Sequence, residues 1–162
     1  MSRAIATVFG LGYLRPASGT WASAAAIGAG LLIDRYLGAP GLALATFFAT
    51  IAGFWAVSSA LQGPDDDPPE FVIDEVAGQW LALLFSSAAF WARGHEGFLP
   101  TPAPLAAFVF FRLFDVWKPW IIGRADRLGG ARGVMLDDLI AGVFAGLATY
   151  GAAALYHILL LS

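Results

Sequence analysis

The sequence predicts an all-α fold: a polytopic membrane helical bundle of about five spans, with its polar chemistry gathered at the cytoplasmic face. Three observations lead there. Hydrophobic residues make up 59% of the 162 positions and charged residues only 13%, against roughly 45–50% and about 25% in ordinary soluble domains. The mean hydropathy is +0.71. The apolar residues fall into blocks close to the ~20 residues that cross a ~30 Å hydrocarbon core, and turn-forming stretches separate them. A single domain, 1–162, suits this length.

Taken in order, the N-terminal stretch "MSRAIATVFGLGYLRPASGT" lacks a long apolar core and a small-residue cleavage site, so no cleaved signal peptide is expected. Ser18 or Thr20 then stands where an N-cap belongs, ahead of the first block, 20–37. That block is the weakest, because it ends in Asp34 and Arg35. "GAPG" breaks it from the second, 41–61, and "QGPDDDPPEF" breaks the second from the third, 72–92. "RGHEGFLPTPAP" precedes the fourth block, 103–122, and "GRADRLGGARG" follows it. The last block, 139–161, is rich in small residues ("GVFAGLATYGAAA"), which let helix backbones approach closely. There is no internal repeat.

Several function classes drop out. With no cysteine there is no disulfide, thiolate metal site or cysteine nucleophile. A net charge of −3 is no footprint for nucleic acid. Five crossings with the N-terminus inside put Arg3, Arg15, Lys118, Arg124, Arg127 and Arg132 on one side, and Arg35 and Arg93 on the other. The positive-inside rule then places the first set, and the acidic motifs beside it, in the cytoplasm. Asp34, Arg35, Arg93, His95 and Glu96 are left to the outer loops. Neither His95 nor His157 falls on the inner face, which disfavours histidine-based chemistry there.

The chemistry lies in charges kept within apolar runs, where an ionised group is costly unless it is paired, metal-bound or facing water. Asp74 and Glu75 in "VIDEVAG", Asp115 in "FRLFDVWKPW", and Asp137 and Asp138 in "GVMLDDLIAG" are the acids concerned. Converging carboxylates cannot all ionise without a cation, and oxygen donors suit Mg²⁺. Arg112 shares a helix face with Asp115 and makes a natural phosphate clamp. Lys118 adds positive charge at headgroup level, and Arg15, Ser18 and Thr20 lie where the start of the first helix suits an anion. Plainer readings stand beside these. The acid pairs also complement helix dipoles, and Arg112 with Asp115 also reads as a simple buried ion pair. Neighbouring side chains diverge by roughly 100° on a helix, so one acid of each pair is expected at any given ion.

"RLFDVWKPW" followed by "GGARGVMLDDLIAG", with "DPPEFVIDEVAGQW" and "GLGYLRPASGTWAS" before them, resembles the bacterial phosphatidylglycerophosphatase A family. The blocks occur in the family's order across residues 10–146. Ser18 stands where the family usually has proline. The resemblance implies an all-helical, Mg²⁺-dependent lipid phosphatase of the bacterial inner membrane, which converts phosphatidylglycerophosphate to phosphatidylglycerol at the cytoplasmic face. It implies acidic positions at Asp67, Asp74, Glu75, Asp115, Asp137 and Asp138, and basic ones at Arg112 and Lys118. The expected metal set is Asp74, Glu75, Asp115, Asp137 and Asp138. The expected phosphate set is Arg112, Lys118, Arg15, Ser18, Thr20 and Asp67. Two rivals remain: a phosphatidyltransferase of the CDP-alcohol type and a non-enzymatic transport bundle. "DRLGGARG" lacks the first one's D-x-x-D-G-x-x-A-R spacing, and polar residues do not run through the depth of the spans as the second requires.

Overall fold

The computed structural model describes residues 1–63, 66 and 68–156, together with the backbone of 157–161. It is all-α, with 77% helix and no strand among the described residues. The helices are α1 (Ser2–Ala6), α2 (Ser18–Ala60), α3 (Ile73–Trp91), α4 (Ala103–Trp117), α5 (Ile121–Asp126) and α6 (Gly130–Leu161), with a 3-10 turn at Leu11–Tyr13 between α1 and α2.

Although α2 runs as one helix of 43 residues, it breaks at Gly38, where φ is 65° and ψ is −172°. Glycine alone adopts such a backbone cheaply, and Pro40 just beyond lacks an N–H to carry the ladder across. The chain reverses there. Before the break, Gly19 lies against Glu75, the Ala26 carbonyl accepts from Trp80 Nε1 (2.8 Å), and Gly38 lies against Trp91. That arm therefore follows α3 from its start to its end. After the break, Leu42 packs with Leu83, and Gly53 returns to Ile73 and Met135. α4 comes back antiparallel to α3, bringing Phe111 onto Gly78, and α6 runs parallel to α3, with Gly142 on Gly78 and Gly146 on Phe85. The bundle thus consists of five legs of alternating direction.

Among the described residues, two helices, α2 and α6, are by length and composition long and apolar enough to cross a membrane. The block 103–122 is not one helix. α4 stops at Trp117 after 15 residues, roughly 22 Å at the helical rise against a ~30 Å hydrocarbon core. Pro119 disfavours helical backbone at Lys118, which takes a positive φ of 48°, and α5 starts afresh at Ile121. The last helix, in contrast, begins at Gly130 rather than near residue 139, so Asp137 and Asp138 ride inside it.

Two apolar clusters hold the legs together. One joins Val57, Phe71, Val76 and Met135; the other joins Leu42, Leu83, Ala107 and Phe111. Trp21, Trp55, Trp91, Trp117 and Trp120 point outward, as amphipathic rings do at a membrane–water interface. Asp34 departs from its expected place in an outer loop. It is buried within α2 and accepts a short hydrogen bond from Ser87 Oγ.

Candidate active site

α3, α6 and the first arm of α2 all begin at one end of the bundle, and α4 ends there. α5 and the α4–α5 turn close the same end. The loop leading into α3 is fastened from three sides. Val72 N–H donates to the Ala6 carbonyl (2.8 Å), Arg3 Nη2 pairs with Glu70 Oε1 (2.6 Å), and Ser18 Oγ donates to the Pro69 carbonyl (2.7 Å). Ser18 is therefore a strap rather than a cap. Ala17 holds the N-cap position of α2, with no side-chain hydrogen bond, and Thr20 is exposed. The bare backbone of Gly19 lets the Glu75 carboxylate and Arg112 close onto α2.

Asp74 and Glu75 occupy the first turn of α3, where free N–H groups favour negative charge. They meet Asp138 of α6. Each of the three offers a carboxylate oxygen, and these oxygens lie within 4.8 Å of one another. Asp74 and Asp138 are buried. Glu75 is partly exposed overall, but its Oε2, like Asp74 Oδ1, is buried without a hydrogen-bond donor. Adjacent acids were expected to diverge. At 74 and 75 they do not, because the longer glutamate side chain spans the angle between neighbours. At 137 and 138 they do: Asp138 joins the triangle and Asp137 turns to Lys118.

Asp115, on α4, acts electrostatically on both Glu75 and Asp138. Its Oδ2 lies 2.5 Å from Arg112 Nη1, a charge contact that lacks the alignment of a hydrogen bond. Lys118 Nζ bridges Asp126 Oδ1 (2.5 Å) and Asp137 Oδ2 (2.7 Å), and Asp137 Oδ1 accepts from Asp138 N–H (2.9 Å). Burial lowers the pKa of the Lys118 ammonium, but the two carboxylates outweigh that and raise it above the ordinary lysine value. In this structure Lys118 is committed to carboxylates. Arg15 is exposed, and Asp67 lies outside the described residues. Asp126 was missed by sequence reasoning because "GRADRLGG" reads as a turn. It reaches Lys118 across a helix end and a new helix, so no period links the two.

Three carboxylates this close repel one another unless a proton or a cation joins them. A buried oxygen left without a partner costs about 1–3 kcal/mol, and the triangle has two such oxygens. An all-oxygen donor set with unpartnered buried atoms fits a hard divalent cation.

A family model for Phosphatidylglycerophosphatase A matches residues 4–153. The chain belongs to the phosphatidylglycerophosphatase A family. A Haemophilus influenzae protein named Phosphatidylglycerophosphatase A is 31% identical over 144 residues, 87% of this chain and 82% of its own length. An Escherichia coli protein of the same name is 37% identical over 78 residues, 48% of this chain and 40% of its own. A Bacteroides thetaiotaomicron protein, provisionally named a phosphatidylinositol-3-phosphatase, is 34% identical over 98 residues, covering 59% of this chain and 55% of that protein. The chain thus spans about half the length of two of these relatives and most of the third. No solved structure matches the chain significantly. The range matched by the phosphatidylglycerophosphatase A model includes the whole acidic triangle, Arg112–Asp115 and the Lys118 bridge.

Proposed function

We infer that this chain hydrolyses phosphatidylglycerophosphate to phosphatidylglycerol and inorganic phosphate in phospholipid biosynthesis, with Mg²⁺ as its cofactor. One observation carries the reading: in a chain of this family, Asp74, Glu75 and Asp138 bring carboxylate oxygens within 4.8 Å of one another while two of the oxygens in that cluster remain buried and unpartnered. Hydrolysis transfers a phosphoryl group to water and breaks its bond to the glycerol oxygen. Charge spreads over the equatorial phosphoryl oxygens as this happens, so the protein's task is to position groups and supply opposite charge.

Asp74, Glu75 and Asp138, with Asp115 beside them, are the residues that would hold Mg²⁺. Bound there, the metal supplies Lewis-acid polarisation of the phosphoryl group. Arg112 presents its planar fork to the phosphoryl oxygens and neutralises their charge. Asp115 aims that fork. Lys118 keeps Asp137 in place, and Asp137, through the Asp138 N–H, steadies the backbone that carries Asp138.

The reading extends to the membrane. All five legs cross or enter the bilayer of the bacterial inner membrane, with the site end in the cytoplasm. The six-to-two distribution of basic residues supports that orientation. The deciding experiment measures phosphate release from phosphatidylglycerophosphate in detergent micelles, with and without Mg²⁺. No release would overturn the reading, and CMP formation from a CDP-lipid would favour the transferase. The Bacteroides relative motivates a second substrate, phosphatidylinositol 3-phosphate. Faster turnover of that lipid would move the assignment to its headgroup.

A further inference from the structure

Among the described residues, the buried side-chain polar atoms without a hydrogen-bond partner are Asp74 Oδ1, Glu75 Oε2, both amide atoms of Gln79, Arg112 Nη1 and Thr149 Oγ1. All but the last belong to α3 and α4 at the acidic cluster. Gln79 is the one member that the site as described leaves unused. It is 0% exposed. It lies one helical turn beyond Glu75, so the two side chains share a face of α3. Arg112 also lies by Glu75, across the bare backbone of Gly19.

A buried carboxamide with neither its N–H nor its carbonyl partnered is uncommon. Packing alone gives no reason for it, because methionine or leucine fills similar space without stranding a donor and an acceptor. The unpartnered atoms are complementary in kind. Glu75 Oε2 needs a donor, and Gln79 Nε2 is one. Arg112 Nη1 meets Asp115 Oδ2 without the alignment of a hydrogen bond, and Gln79 Oε1 offers it a second acceptor. We propose that Gln79 is a positioning residue of the site: in the loaded state its amide donates to Glu75 and its carbonyl accepts from Arg112, tying the carboxylate that holds the cation to the guanidinium that holds the phosphate. The proposal rests on reading the acidic triangle as a cation site.

Gln79→Met tests it, with Gln79→Leu as a second apolar variant, using the full chain purified in detergent. Three quantities are measured: the unfolding temperature without divalent cation, the Mg²⁺ concentration that gives half of the Mg²⁺-induced rise in that temperature, and phosphate release. The expected result is an unfolding temperature without Mg²⁺ equal to or above wild type. The half-saturating Mg²⁺ concentration rises roughly 10- to 100-fold, as when a hydrogen-bond partner is taken from a metal-holding carboxylate, and turnover falls with it. A lowered unfolding temperature in both variants without Mg²⁺ would mean that the amide serves the fold, and the proposal would be overturned. An unchanged Mg²⁺ dependence would overturn it as well. If wild type is stabilised by Mg²⁺ yet releases no phosphate, the substrate reading fails while the Gln79 comparison stands. If wild type does not respond to Mg²⁺ at all, the cation reading fails and takes the Gln79 proposal with it.

Discussion

At the scale of single residues, Arg112 and Asp115 pose the sharpest choice. Their side chains are 20% and 15% exposed and 2.5 Å apart, which suits a self-neutralising pair as well as a working one. The two roles separate on substitution. Asp115→Asn keeps shape and hydrogen-bonding capacity but removes the charge a hard cation wants. We expect it to remain folded while turnover falls by roughly 10²-fold or more, the scale of losing one transition-state electrostatic partner. Breaking a purely structural buried pair would instead cost on the order of 3–5 kcal/mol. The double variant Arg112→Leu with Asp115→Leu would then recover both stability and activity. We expect that double variant to be folded and inactive; thermal unfolding and phosphate release measured together decide the matter.

At the scale of elements, the site depends on how closely α3 and α6 approach. A Cβ at Gly78 would stand 2.5 Å from the Asp138 carbonyl oxygen, and one at Gly142 would collide with the Gly78 carbonyl. Both obstacles are backbone, which cannot rotate aside. Alanine in a helix normally gains about 0.5–1 kcal/mol over glycine, whereas forcing atoms into a packed interface costs typically 1–3 kcal/mol. The clash therefore wins at Gly142. We expect Gly142→Ala to lower the unfolding temperature and also to lower turnover, because Asp138 sits on the displaced backbone. Gly28 of α2 is the control, since nothing lies within 4 Å of a Cβ placed there. Gly28→Ala should leave activity intact and stability equal or slightly higher. Equal behaviour of the two variants would show that the close approach of α3 and α6 does not matter.

Considered whole, the molecule gathers most of its charged residues at one end, and two predictions belong to that scale. Removing divalent cations with EDTA should abolish phosphate release, and adding Mg²⁺ back should restore it. Full turnover in metal-free protein would return the triangle to a structural role. The second prediction concerns direction. The chain has no cysteine, so single cysteines report cleanly. Ser2→Cys and Arg127→Cys lie toward the site end, and Glu96→Cys lies between α3 and α4 at the other. An impermeant thiol reagent on intact cells should label only the variant at Glu96. Labelling at Ser2 or Arg127 would invert the proposed orientation.

By itself the sequence determined the class of the molecule and the family to which it belongs. Composition and block length are summed over many residues, so the all-α apolar bundle was legible without contacts. The acids and Arg112 stood out because charges are conspicuous in apolar runs, and the motif order carried the family. Helix ends were less legible. The stop at Trp117 follows from Pro119, yet the apolar run continues through it, and "MLDD" gives no local sign of lying inside a helix that starts at Gly130. Only the tertiary structure decided which acids meet, that Asp137 turns to Lys118 and Asp126, that Ser18 straps Pro69, and that Gln79 is buried unpartnered beside Glu75. Those outcomes depend on pairs such as Gly78 with Gly142 and Gly19 with Glu75, far apart in sequence and brought together by backbone packing. A contact of that kind leaves no trace in local pattern, because either partner alone reads as an ordinary helix residue.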